Sequence, residues 1–193
     1  LVSSMPRKLL PTIRSRCQQW HAPRPDAEAL RRWQAEQGKT PRASASLLAL
    51  CGGMPLAAQR MAAQGIETLS ERFARDLAEG ETDPLRLAGQ WEAWLKKDKT
   101  AIAAGFGLPM LIDWMQRWVS DLAALRLGGR VKYFPAHAER LALLSTRMNS
   151  AAASNCYNEF VNIRRAANHP LNPRLLLEDM LIRYARTLKG IQS

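Results

Sequence analysis

The sequence predicts an all-α protein, and three observations carry that prediction. Strand-like alternation is almost absent, apolar residues recur at three- and four-residue spacing through most of the chain, and the periodic runs are punctuated by helix-stopping glycines and helix-opening prolines. Only two places read as extended. Leu1-Val2-Ser3-Ser4 has the character of the end of a buried strand, and Val131-Lys132-Tyr133-Phe134 that of a short extended piece.

The helices follow in order. Asp26 is placed to cap a helix on which Ala27, Leu30 and Trp33 share one face until Gly38 stops the run. A second helix covers about residues 43–51 and ends at Gly52-Gly53; a third opens at Pro55 and runs to about 64, before Gly65. These three short helices make a small bundle. Beyond Gly65 the helices lengthen, so the domain boundary is drawn there. One spans about 66–79. After a Gly-Glu-Thr-Asp-Pro break, Asp83 caps and Pro84 opens another that reaches about residue 98. Residues 108–127 form the strongest amphipathic run, with Leu108, Leu111, Ile112, Met115, Val119 and Leu122 at helical spacing. Trp114 and Trp118 add a second apolar row, so this helix is expected to be buried on more than one side. Further helices are expected over about 136–148 and 155–167. The last is capped by Asn172 and begun by Pro173, with Leu176, Met180 and Tyr184 on one stripe and Leu177, Leu181 and Leu188 beside it.

Composition narrows the function. No run approaches the roughly 18 apolar residues of a membrane span, and no signal pattern opens the chain, so a cytoplasmic protein is expected. Cys17, Cys51 and Cys156 are far apart, with no Cys-x-x-Cys pair, and His21, His137 and His169 are equally scattered. Neither a disulfide framework nor a metal site is expected, and no bound cofactor. The histidines read as solvated surface residues. No Ser/His/Asp set or carboxylate pair stands out for hydrolytic chemistry. Against 17 acidic residues stand 28 lysines and arginines, a net charge of +11, which favours an anionic partner. The excess is greatest over residues 1–50, with nine basic side chains against three acidic ones. Six tryptophans invite a base-stacking reading, but Trp91, Trp94, Trp114 and Trp118 lie on strongly apolar helices and read as core; Trp20 and Trp33, in the basic front part, are open to either. Cys51 and Cys156 read as inert core residues.

A resemblance gives these features a frame. Leu9-Leu10-Pro11-Thr12-Ile13-Arg14-Ser15-Arg16-Cys17 resembles the Ser-Arg-Cys motif of sliding-clamp loaders, and Leu1 to Pro6 looks like the strand and turn of their nucleotide sensor region. At the other end, the stretch from Asn168-His169-Pro170 through Asn172-Pro173-Arg174 to Met180-Leu181 resembles the last helix of the bacterial delta-prime family of DNA polymerase III subunits. The resemblance implies that residues 1–17 end an AAA+ nucleotide-binding domain, that 18–65 are its three-helix lid, and that 66–193 are a helical collar through which five subunits form a ring. It places the phosphate loop upstream of Leu1, in keeping with a chain that begins without Met and reads as part of a longer one. ATP-hydrolysing loaders carry a lid arginine shortly after a glycine. Gly52-Gly53-Met54-Pro55-Leu56-Ala57-Ala58 has none before Arg60, which fits a member that does not hydrolyse ATP itself.

On this resemblance Arg16 is the candidate catalytic residue, a trans-acting arginine finger, with Ser15 and Cys17 shaping its turn as a small polar residue before and a small buried one after. Phosphoryl transfer builds charge on the γ-phosphate oxygens, and an ever-ionised planar guanidinium suits that charge better than an ammonium. Arg14 ranks second, since two residues along an extended segment would put it on the same side as Arg16. The implied partners are the other subunits of a hetero-pentamer, ATP at a neighbouring subunit, primed DNA in the assembled complex and, indirectly, the sliding clamp. The chain would be no enzyme alone but a component of the DNA polymerase III holoenzyme, a nucleotidyltransferase. The alternative from another class is a free-standing basic helical module that binds nucleic acid directly.

Overall fold

Capping side chains and prolines fix where the helices start. In the computed structural model, which describes residues 3, 6–20, 23, 26–36, 43–79, 83–166 and 172–189, every regular element is helical and no strand occurs among the described residues. The chain divides into two compact units, Leu1–Glu36 and Gln37–Ser193.

The first unit holds a 3-10 turn, Pro6–Lys8, the one-turn helix α1 (Pro11–Arg14) and helix α2 (Ala27–Glu36). Asp26 caps α2 as expected, its Oδ1 accepting the N–H groups of Glu28 and Ala29 at 3.0 and 2.7 Å. The stop at Gly38 lies outside the described residues. So do Leu1, Val2 and Ser4; Ser3 carries no regular structure, and the strand remnant is not shown. No described residue of this unit is buried.

The second unit contains α3 (Ala45–Leu50), α4 (Pro55–Ala63), α5 (Ile66–Ala78), α6 (Pro84–Lys97), α7 (Lys99–Ala103), α8 (Leu108–Arg126), a 3-10 turn at Pro135–His137, α9 (Ala138–Ser145), α10 (Ser150–Ala166) and α11 (Pro173–Leu188). Helix α8 is the centre, packed on α9 and α10; α6 packs on α11, α11 on α10, and α3, α4 and α5 on one another in turn. As its two apolar rows imply, α8 buries Leu111, Ile112, Trp114, Met115, Trp118, Val119 and Leu122. Phe73 of α5 sits among aromatic rings, 5.3 Å from Trp91, 5.6 Å from Trp114, 6.4 Å from Trp118 and 5.9 Å from Phe134 between centroids. The four tryptophans assigned to the core are at most 2 % exposed and cannot stack on a base. Cys51 and Cys156 are buried as expected, and burial pushes the Cys156 thiol up to about 11.

The structure corrects several boundaries. Helix α10 begins at Ser150 rather than near residue 155, because Asn149 Oδ1 accepts the Ala152 N–H at 2.7 Å and the alanines that follow favour helix. Helix α7 is unforeseen. Asp98 ends α6 and then caps α7, its Oδ1 accepting from Thr100 and Ala101. The expected helix over 136–148 is a 3-10 turn followed by the shorter α9. Val131 to Phe134 form no strand: the N–H groups of Lys132, Tyr133 and Phe134 all point at the buried carboxylate of Asp121, each at 2.9 Å, instead of at a neighbouring backbone. His137 is not a solvated surface histidine but half-buried, its ring 6.1 Å from that of Trp118, while His21 and His169 lie outside the described residues.

Candidate functional site

Pro11 starts a helical turn where its missing N–H costs nothing, and the chain stays coiled through the motif. The Ser15 N–H donates to the Pro11 carbonyl at 2.9 Å, Arg16 N–H to Ile13 at 3.2 Å and Cys17 N–H to Arg14 at 3.4 Å. Ser15 Oγ donates to the Thr12 carbonyl at 3.2 Å, so this small polar residue does tie the turn together. Every residue from Leu10 to Trp20 is exposed. Arg16 has neither an ion pair nor a side-chain hydrogen bond among the described residues, and its guanidinium is free to meet an external anion.

Two expectations about this stretch change. Cys17 is exposed rather than buried, since nothing among the described residues covers the motif. Arg14 does not share a side with Arg16, because the segment is helical rather than extended. At about 100° per residue, positions two apart on a coiled segment diverge by about 200° instead of aligning.

Some arginines of the second unit are engaged. Arg117 pairs with Asp113 at 2.6 Å and donates to the Leu50 carbonyl, Arg140 donates to the carbonyls of Ala78 and Glu79, and Arg174 bridges Glu178, Glu92 and the Leu85 carbonyl. The Arg117–Asp113 and Arg174–Glu178 pairs each lie within one helix, and the others tie separate elements together. In the turn before α4, Gly52 and Gly53 take positive φ, Pro55 occupies the first helical position and no side chain caps the helix. Arg60 lies about 7.5 Å further along the axis at 1.5 Å per residue, exposed and unpaired among the described residues. Of the C-terminal motif, residues 168–171 lie outside the described residues. Asn172 caps α11 by accepting the Arg174 N–H at 2.9 Å, and Leu177, Met180, Leu181, Tyr184 and Leu188 are buried.

Sequence reasoning passed over Asp121, which organises the 131–134 segment. The available signal was an acidic residue inside the apolar row of α8, followed closely by a Gly-Gly exit. Burial pushes its carboxyl above the ordinary range, and the three backbone donors oppose that shift. Among the described residues no group of histidine, cysteine or carboxylate side chains has the arrangement to hold a metal ion, and no helix is long and apolar enough to cross a membrane.

Over 129 residues, 66% of its length, the chain is 33% identical to a protein of Pseudomonas aeruginosa named DNA polymerase III subunit delta'. The matched region spans 37% of that protein's length. No family model and no solved structure matches the chain.

Proposed function

We propose that the chain is part of a non-hydrolysing, delta-prime-like subunit of a replicative clamp loader in the cytoplasm, supporting ATP-dependent loading of the sliding clamp onto primed DNA. The reading divides it into the end of an AAA+ domain at 1–17, a lid at 18–65 and a collar at 66–193 that joins a hetero-pentamer. Arg16 reaches the γ-phosphate of ATP bound to a neighbouring subunit, and Ser15 holds the turn from which it projects. The observation that carries the proposal is an exposed, unpaired Arg16 within the motif, together with the similarity to subunit delta'. A guanidinium free of an internal carboxylate has no internal ion pair to break when it turns to an anion outside. The absence of an arginine at the start of α4 agrees with a subunit that does not read nucleotide of its own.

The test is DNA-stimulated ATPase of the reconstituted pentamer carrying Arg16→Ala in the full-length subunit. Turnover at the site it serves is expected to fall by a factor on the order of 10³, the lower end of what a trans-acting arginine supplies. Unchanged turnover rejects the finger assignment. A second reading, the free-standing nucleic-acid module, draws on Trp20, which is 88 % exposed in the basic front segment. It requires tight DNA binding that quenches Trp20 fluorescence and is lost in Trp20→Ala.

A further inference from the structure

Several carboxylates of the second unit are matched by cations: Glu92 by Lys96 and Arg174, Asp98 by Arg72, Asp113 by Arg117 and Arg164, Glu178 by Arg174, and Glu159 and Asp179 by Arg183. The segment that leaves α8 is different. From Asp121 to Glu139 the chain has no acidic residue between them, yet Arg126, Arg130 and Lys132 fall within seven positions. All three are exposed, and none has a carboxylate partner among the described residues. Asp121 is buried, accepts the N–H groups of residues 132–134 and attracts the Lys132 charge, but it forms no ion pair with Arg126, Arg130 or Lys132. The neighbouring Asp113 is shared by Arg117 and Arg164, which leaves that trio with a net positive charge as well.

The backbone that carries these cations is held at both ends. Gly128, at φ 80°, turns the chain out of α8 in a left-handed step, with its N–H on the Leu125 carbonyl at 3.1 Å and the Gly129 N–H on the Ala124 carbonyl at 2.7 Å. At the far end the Asp121 carboxylate fixes residues 132–134, and Phe134 is anchored in the aromatic core. The Lys132 ammonium lies 4.8 Å from the Tyr133 ring centre, and the Arg117 guanidinium approaches the same ring at 5.5 Å. Arg126 is explained in part by its place in the last turn of α8, where a cation complements the helix dipole; Arg130 and Lys132 lie beyond it.

We infer that the 126–132 loop is a phosphate-binding surface for nucleic acid, three exposed cations on a held backbone that meet phosphates without reading sequence. A cluster of free cations on a held backbone suits a partner whose negative charge repeats regularly, and the held backbone spares the cost of ordering the loop. The surface stands independently of the clamp-loader reading and of the front segment that holds Arg16.

The test is fluorescence anisotropy of a labelled duplex of about 20 base pairs with the chain, between about 50 and 200 mM salt. The exposed triple variant Arg126→Gln/Arg130→Gln/Lys132→Gln leaves the Asp121 tie intact, because that tie uses the main chain of residue 132. With an unchanged circular-dichroism spectrum, it is expected to weaken binding roughly tenfold and to flatten the slope of log K against log salt by about 2 to 3, near 0.9 for each phosphate that is no longer neutralised. Unchanged affinity and slope overturn the proposal, as does failure of the unmodified chain to bind duplex at all. Equal weakening in Arg14→Gln/Arg16→Gln overturns it by moving the binding surface to the front. Displacement of the duplex by polyglutamate at equal charge concentration overturns it in favour of an acidic protein partner.

Discussion

Arg16 and Arg117 are the same side chain in opposite circumstances. Arg117 lies between helices, paired to Asp113, donating to the Leu50 carbonyl and facing Tyr133; Arg16 stands on an exposed turn with no partner among the described residues. The contrast extends to the units that hold them. No described residue of Leu1–Glu36 is buried, whereas Gln37–Ser193 carries the whole core found among the described residues and ties its charges together across helices. Partnered arginines hold a fold, and unpartnered ones are available to something outside it.

Substitutions sharpen that contrast. The largest effect is expected for Trp118→Ala, which removes a fully buried ring from the aromatic cluster and its Nε1 donation to the Tyr184 hydroxyl at 2.9 Å. Urea denaturation should show a loss of about 3–5 kcal/mol. A loss under about 1 kcal/mol, the ordinary size of a surface or volume-conserving change, would mean the cluster is not the core. Next comes Asp121→Asn, which keeps the size but replaces two accepting oxygens with one and turns an amide N–H toward backbone donors. About 2–3 kcal/mol is expected, with faster hydrogen exchange at residues 132–134 as the local signature. If those amides stay protected, the carboxylate does not hold the segment.

A pH comparison is subtler. Burial lowers the pKa of His137 from its ordinary 6.5, with Glu71 opposing. The unfolded chain therefore binds a proton there before the folded one does, so the contribution of the neutral ring is fully present above about pH 6.5 and declines as the pH falls through it toward the folded value. Because Asp76 and Asp121 have raised values and act in the opposite sense, the measurement is the difference in urea midpoint between the unmodified chain and His137→Gln, at about pH 7.5 and about pH 5.5, on either side of the ordinary histidine value. That difference should shrink at the lower pH; a constant one removes the histidine from the balance. The smallest effect is expected for Arg16→Ala, within about 0.5 kcal/mol of the unmodified chain, since its side chain touches nothing internal. A larger loss would show that Arg16 is structural after all and would merge the two halves of the comparison.

Legibility followed the range of the interactions. The caps at Asp26, Asp83 and Asn172, the openings at Pro55, Pro84 and Pro173 and the four core tryptophans were readable, because a cap needs only its own next two or three residues and an apolar stripe repeats along one helix. The start of α10 at Ser150, behind Asn149, was missed, and the helix was read from about residue 155. Of the proposed site, Arg16 was singled out by its motif alone, and the coil of the motif was not legible. Pro11 opens a helical turn there, and that turn separates Arg14 from Arg16.

By itself, the sequence determined the helical class, the order of the helices and which faces are apolar, since these depend on periodicity and on neighbours a few residues away. Only the tertiary structure decided which charges are spent. Whether an arginine meets a carboxylate depends on residues distant in the chain, as Arg164 on Asp113 and Arg174 on Glu92 show. The same holds for Asp121, which reads as an ordinary acidic residue until the fold closes a loop over it and three backbone donors bind its oxygens.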